Sequence, residues 1–119
     1  LGAAGSGKSA LALDLLALGA ELVADDRTVL SARNGRLRAA PHPEIAGLVE
    51  ARGVGLLRMP YRAGADVALA VDMETAEPAR LPERRQIAFC GISVPLLHKV
   101  EAGHFPAALC MYLRHERFA

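Results

Sequence analysis

Gly2-Ala3-Ala4-Gly5-Ser6-Gly7-Lys8-Ser9 fills every fixed position of the phosphate-binding template G-x-x-x-x-G-K-[ST]. Each residue type there has a physical purpose. Glycines let backbone N–H groups curl around phosphate oxygens, a helix N-terminus adds a favourable dipole, Lys8 supplies a point charge and Ser9 a hydroxyl for Mg²⁺. The apolar residues that follow, Ala10, Leu11, Leu13, Leu15 and Leu16, suit a helix running to about Leu18, with Gly19 as its stop. The stretch Gly2 to Ser9 therefore predicts a nucleotide site. A glycine-rich turn before an ordinary helix is the bland alternative, and the complete match weighs against it. Loops of this kind follow a strand, and the chain opens with Leu1 directly on the loop, so a first strand is expected upstream.

Outward from the loop, Glu21-Leu22-Val23-Ala24 reads as a short apolar strand ending in Asp25-Asp26. A strand, helix and strand of these lengths form a crossover whose two strands run parallel, so the paired carboxylates arrive at the sheet edge beside the loop, where α/β ligands bind. Adjacent strand residues face opposite ways, so only one of Asp25 and Asp26 is expected to point into the site unless the chain bends there. Thr28-Val29-Leu30-Ser31-Ala32 and Arg36-Leu37-Arg38-Ala39 flank Asn34-Gly35, a two-residue hairpin signal. Pro41-His42-Pro43 is a rigid connector, and Glu44 to Leu48 suits a helical turn. Leu48 to Leu57 holds Glu50 and Arg52 either side of a small residue, then Gly53 and Gly55; it reads as a second site loop or as a bulged strand carrying a solvated ion pair. Val67 to Met73 reads as a strand buried on both faces, Thr75 to Pro82 as a loop with Arg80, and Arg84 to Phe89 and Ile92 to Leu97 as two strands. Glu101 to His104 is a loop tip, and Pro106 opens a helix over 107–117. The whole is a single α/β domain, 1–119, with a mixed sheet and flanking helices.

Half of the residues are apolar and the net charge is +1, which gives no ground for nucleic acid or an anionic membrane as partner. No apolar run approaches the ~18 residues of a membrane span, and no secretory leader is visible, so a cytoplasmic location is expected. Cys90 and Cys110 sit among apolar neighbours without a C-x-x-C pair and read as buried free thiols. His42 reads as a surface residue. His98, His104 and His115 lack metal-ligand spacing, so Mg²⁺ is the sole metal expected.

Phosphoryl transfer needs a phosphate cradle, Mg²⁺ ligands and an acid to orient or deprotonate the acceptor hydroxyl. Lys8 and Ser9 serve the first two, Asp25 and Asp26 stand at the edge, and Glu50 is a further hard oxygen ligand. Arg80 and Arg52, each in a loop beside a turn-forming residue, are the candidate phosphate forks, and Arg84-Arg85 reads as a solvated face.

Read together, Gly2 to Ser9, Leu22 to Asp26 and Val49 to Arg58 make the chain resemble the C-terminal kinase domain of HPr kinase/phosphorylase, whose E-I-R-G-L-G-I signature the third stretch matches. Gly91 to Leu97 is similar too, and the compact spacing resembles the short proteobacterial form without an N-terminal domain. The resemblance implies a phosphoenolpyruvate carboxykinase-like fold. It also implies ATP- and Mg²⁺-dependent phosphorylation of a serine on the phosphocarrier HPr, reversal by phosphorolysis in many members, and a hexameric homo-oligomer. By position it makes Asp26 the acid that accepts the serine proton, supported by Asp25, with Lys8 on phosphate, Ser9 and Glu50 as Mg²⁺ ligands and Arg80 as a catalytic arginine. The stretch Glu101-Ala102-Gly103-His104-Phe105 departs from the family: an acid replaces positive charge where inorganic phosphate should bind, which disfavours phosphorolysis. A small-metabolite kinase on the same scaffold and a nucleotide-sensing module without catalysis are the alternatives.

Overall fold

In the computed structural model the described residues are 1–3, 5–115 and 117–119. The helix predicted after the loop forms as α1 (Lys8–Ala17), closed by Leu18 and Gly19, whose amides return to carbonyls of the last turn. The hairpin signal at Asn34-Gly35 is realised by β1 (Thr28–Arg33) and β2 (Arg36–Pro41), paired antiparallel with Arg33 opposite Arg36. Asn34 and Gly35 both take positive φ, 51° and 73°, as a twist-matched two-residue turn demands. After a 3₁₀ turn (Pro43–Ile45), β3 (Leu48–Ala51) and β4 (Gly55–Arg58) form a second antiparallel hairpin, and the short β5 (Ala65–Asp66) adds to β2.

The third sheet has the order β6-β8-β7, from β6 (Ala70–Ala76), β7 (Arg85–Phe89) and β8 (Ile92–Lys99). β8 runs antiparallel to β7 across the Cys90-Gly91 turn and parallel to β6, so the predicted mixed sheet is present, accompanied by two smaller antiparallel ones. Its two faces bury different things because strand side chains alternate. Ala70, Val94 and Leu96 pack with Leu37 of the first hairpin, and Val71, Met73 and Leu97 pack with Leu11 and Leu15 of α1 and with Phe105 and Leu109 of α2 (Phe105–Arg114).

Several expectations change. Residues 21–24 form no strand: Leu22 makes a single parallel bridge to Tyr61, its carbonyl accepting from the Arg62 amide at 2.7 Å, while Leu1 bonds to β6, so the expected crossover is not formed among the described residues. The edge role falls to Leu1, whose nitrogen donates to the Val71 carbonyl (2.7 Å) and whose carbonyl accepts from the Met73 amide (2.8 Å), so the loop leaves from alongside β6. β6 starts and ends three residues later than predicted, and only its first half is buried. α2 stops at Arg114; of the residues assigned to it beyond that point, Glu116 lies outside the described residues. Cys90 is a free thiol, as is Cys110, yet it is exposed, because it occupies the hairpin turn with φ 51°. Arg85 is half-buried between Glu77 and Glu83 rather than solvated, since it begins a strand that faces the loop carrying both acids.

Candidate active site

The loop, β6 and β8 meet at one sheet edge. Because Leu1, β6 and β8 run parallel there, their carboxyl-terminal ends lie together, the location at which α/β folds bind ligands. Gly7 ends the loop with φ 99°, and a Cβ there would lie 3.6 Å from Met73 Cε and 3.9 Å from Lys99 Nζ, so the backbone comes down close to the sheet while α1 begins at Lys8. The Lys8 ammonium donates to the Gly2 carbonyl. The Ala3 amide donates to Glu74 Oε1 at 2.8 Å, and Lys99 Nζ to the Ser6 carbonyl at 3.5 Å. Asp72 braces the end of β6 by accepting from the Glu74 amide and the Thr75 hydroxyl, which hold its carboxyl below the usual carboxylate range.

On the other side of the loop opens a cleft of about 660 Å³. Gly5, Gly7, Lys8, Ser9 and Ala10 form its floor, Asp25, Asp26, Glu50 and Arg52 its polar rim, and Leu13, Ile45, Leu48, Val54 and Leu56 an apolar wall. Ser9 Oγ donates to both oxygens of Asp25, at 2.8 and 3.0 Å, and the Glu50 amide donates to Asp25 Oδ2 at 3.1 Å. Asp25 thus ties the first turn of α1 to the β3–β4 hairpin. Asp26 Oδ1 accepts the Arg27 amide at 3.2 Å and its carboxylate is otherwise open to the cleft. The two acids share one site because residues 25–27 bend, with Arg27 at φ 51°, instead of continuing a strand.

The residues suit a magnesium nucleotide. Ser9, Asp25 and Glu50 offer hard oxygen donors of the kind Mg²⁺ takes. The Ser6 hydroxyl, buried without a hydrogen-bond partner, faces Gly2 at the back of the loop and takes no part in the cleft.

Of the residues singled out in the sequence, the structure gathers Gly5, Gly7, Lys8, Ser9, Asp25, Asp26, Glu50 and Arg52 around the cleft. Gly53 and Gly55 shape the hairpin tip beside it, Gly2, Ala3 and Ser6 form the loop's back, and Ala4 lies outside the described residues. Arg80 is exposed on the segment after β6, away from the cleft lining. Sequence reading passed over Glu74, Lys99 and the apolar wall. The first two depend on the parallel pairing of β6 with β8, which an intervening strand conceals; the wall depends on how the β3–β4 hairpin leans over α1.

A family comparison matches residues 1–88 to the HPr Serine kinase C-terminal domain. The chain belongs to that family. The HPr kinase/phosphorylase of Brevibacillus brevis is 35% identical over 92 residues, 71% of this chain and 30% of that protein. Its counterpart in Streptococcus equi subsp. zooepidemicus is 34% identical over 107 residues, 79% of this chain and 34% of that protein. The chain thus spans about a third of the length of these curated relatives. The solved Hpr(Ser) kinase/phosphatase from Coxiella burnetii superposes with a TM-score of 0.74 at 25% identity, over 94% of this chain and 81% of that one. The mixed α/β fold is therefore that of the HPr kinases, and membership makes the chain kinase-related.

Proposed function

We propose that this chain carries the catalytic apparatus of a cytoplasmic, ATP- and Mg²⁺-dependent protein-serine kinase acting on an HPr-type phosphocarrier. The observation that carries the reading is the arrangement Ser9–Asp25–Glu50 beside an Asp26 carboxylate open to the cleft. Ser9, Asp25 and Glu50 would hold Mg²⁺, which supplies charge neutralisation on the nucleotide phosphates. The amides of Gly5, Gly7, Lys8 and Ser9 would receive the phosphates, and Lys8 would exchange the Gly2 carbonyl for a phosphate oxygen. Asp26 accepts the proton of the acceptor serine as its oxygen bonds to the γ-phosphorus; the bond to the β-phosphate oxygen breaks and ADP leaves. Asp25, fixed by two donors, orients Ser9 and leaves Asp26 the basic position. Arg52 flanks the rim, and the catalytic part given to Arg80 rests on the family resemblance alone.

A cytoplasmic location agrees with the finding that no helix among the described residues is long and apolar enough to cross a membrane. Assembly into a homo-oligomer, a hexamer by resemblance, agrees with exposed Leu81 and Leu113, both outside the cleft lining, and sedimentation velocity reporting a monomer at all concentrations would refute it. Phosphorolysis is disfavoured by Glu101, whose carboxylate stands 3.6 Å from Lys99. The decisive experiment uses labelled ATP, Mg²⁺ and purified HPr. Label on an HPr serine is expected, with Asp26→Asn abolishing transfer while keeping ATP affinity within about threefold, since removing the base leaves the cradle intact. Unchanged turnover in that variant would sink the assignment.

A further inference from the structure

Lys99 ends β8 behind the phosphate loop. Its ammonium lies 3.5 Å from the Ser6 carbonyl oxygen and 3.9 Å from the place a Cβ of Gly7 would occupy, while Glu101 holds it from the other side at 3.6 Å. The peptide between Ser6 and Gly7 is trans, as are all those described, so its carbonyl and its N–H point in opposite directions. A cation seated on the Ser6 oxygen therefore fixes the Gly7 N–H pointing away from Lys99. Gly7 lines the cleft and Ser6 does not, so an N–H turned away from Lys99 is free to face the phosphate side. A charge on the carbonyl also polarises the peptide and strengthens the N–H as a donor.

We propose that Lys99 is a positioning residue of the nucleotide site: it acts on bound phosphate through the Ser6–Gly7 peptide, and Glu101 restrains it. The inference rests on the nucleotide reading above and adds a cation outside the loop motif, delivered by a strand distant in sequence. Lys8 answers the phosphate from within the loop; Lys99 sets the loop's shape from behind. Glu101 draws the ammonium toward solvent and weakens its hold, so the two residues have opposite effects on affinity.

Calorimetric titration without any acceptor tests this. Lys99→Met is expected to weaken MgATP binding about tenfold, the low end for a hydrogen bond involving a charged group. AMP, which lacks the β- and γ-phosphates, should lose about twofold or less, Lys99→Arg should restore most of the MgATP affinity, and Glu101→Gln should tighten it about twofold to threefold, an exposed-pair effect. A merely structural lysine would lower ATP and AMP affinity together, along with the melting temperature. Equal MgATP affinity in wild type and Lys99→Met, or parallel losses for ATP and AMP, would overturn the proposal while leaving the nucleotide site standing. Weaker binding by Glu101→Gln would also count against it. Failure of the wild-type chain to bind MgATP would overturn both readings.

Discussion

Glu77 closes the loop after β6 against β8: its amide donates to the Lys99 carbonyl at 2.9 Å and its side chain, only 4% exposed, accepts from Arg85 Nη1. That bond comes first among the causes that hold the Glu77 carboxyl below its ordinary value of 4.5, with the Ala79 amide and the Arg85 and His98 charges adding to it. A carboxylate with a lowered native pKa stabilises the fold above its unfolded pKa, and that stability drains away as the pH falls through the native value. Asp72 shifts in the same direction, for the bonds it accepts from Glu74 and Thr75. Urea midpoints measured from about pH 6 down to about pH 3 should therefore fall, and Glu77→Gln should flatten part of that descent, Asp72 contributing in the same sense. A variant whose acid limb matches the wild type would show that the Glu77–Arg85 contact does not couple to folding.

At the scale of elements, the β3–β4 hairpin and the turn before it carry the site and invite a paired test. Gly47 and Gly53 share a left-handed backbone, φ 79° and 83°, but differ in surroundings. A Cβ at Gly47 would meet the Met59 carbonyl and Tyr61 Cδ1 at 2.8 Å each, whereas at Gly53 it would meet nothing. Gly53→Ala should cost about 1 kcal/mol, the left-handed penalty alone, and Gly47→Ala at least about 2 to 3 kcal/mol, since backbone must shift as well. Chemical denaturation of both variants gives the comparison; equal costs would refute the role of close packing at Gly47. These elements also show how far the sequence could be read. The loop-to-helix stretch and the Asn34-Gly35 hairpin were legible because each is written in local backbone chemistry. So was the gathering of Ser9, Asp25, Asp26 and Glu50 around one cleft. The fate of residues 21–24 was not, because an apolar tetrapeptide forms a strand only where a neighbour offers a ladder, and Tyr61-Arg62 offers one rung. That both Asp25 and Asp26 line the cleft was likewise hidden, since it follows from a bend at Arg27 that no residue type announces. Cys90 misled for a related reason: its apolar neighbours sit on the strands, while the thiol sits at the turn.

At the scale of the whole molecule, the mixed β6-β8-β7 sheet packs the first antiparallel sheet on one face and the two helices on the other, with the β3–β4 hairpin beside α1. Among the described residues Leu37 and Val49 are the largest side chains almost fully enclosed. In such a molecule the order in which parts come together matters. β7 and β8 are joined by two residues and pair locally, as do β1 with β2 and β3 with β4. The bonds that seat the phosphate loop are of another kind: Leu1 to Val71 spans 70 positions, Ala3 to Glu74 spans 71 and Ser6 to Lys99 spans 93. Closing such spans is entropically costly and comes late, after the local hairpins. The cradle would then be absent from the folding transition state, and MgATP, finding it only in the native protein, should slow unfolding in proportion to its occupancy and leave the refolding rate unchanged. Stopped-flow traces with and without nucleotide read this directly: acceleration of refolding by MgATP would mean that the loop is docked early. On the proposed reading, long-range seating would make the nucleotide a lock on a finished molecule, protecting it against opening without helping to build it.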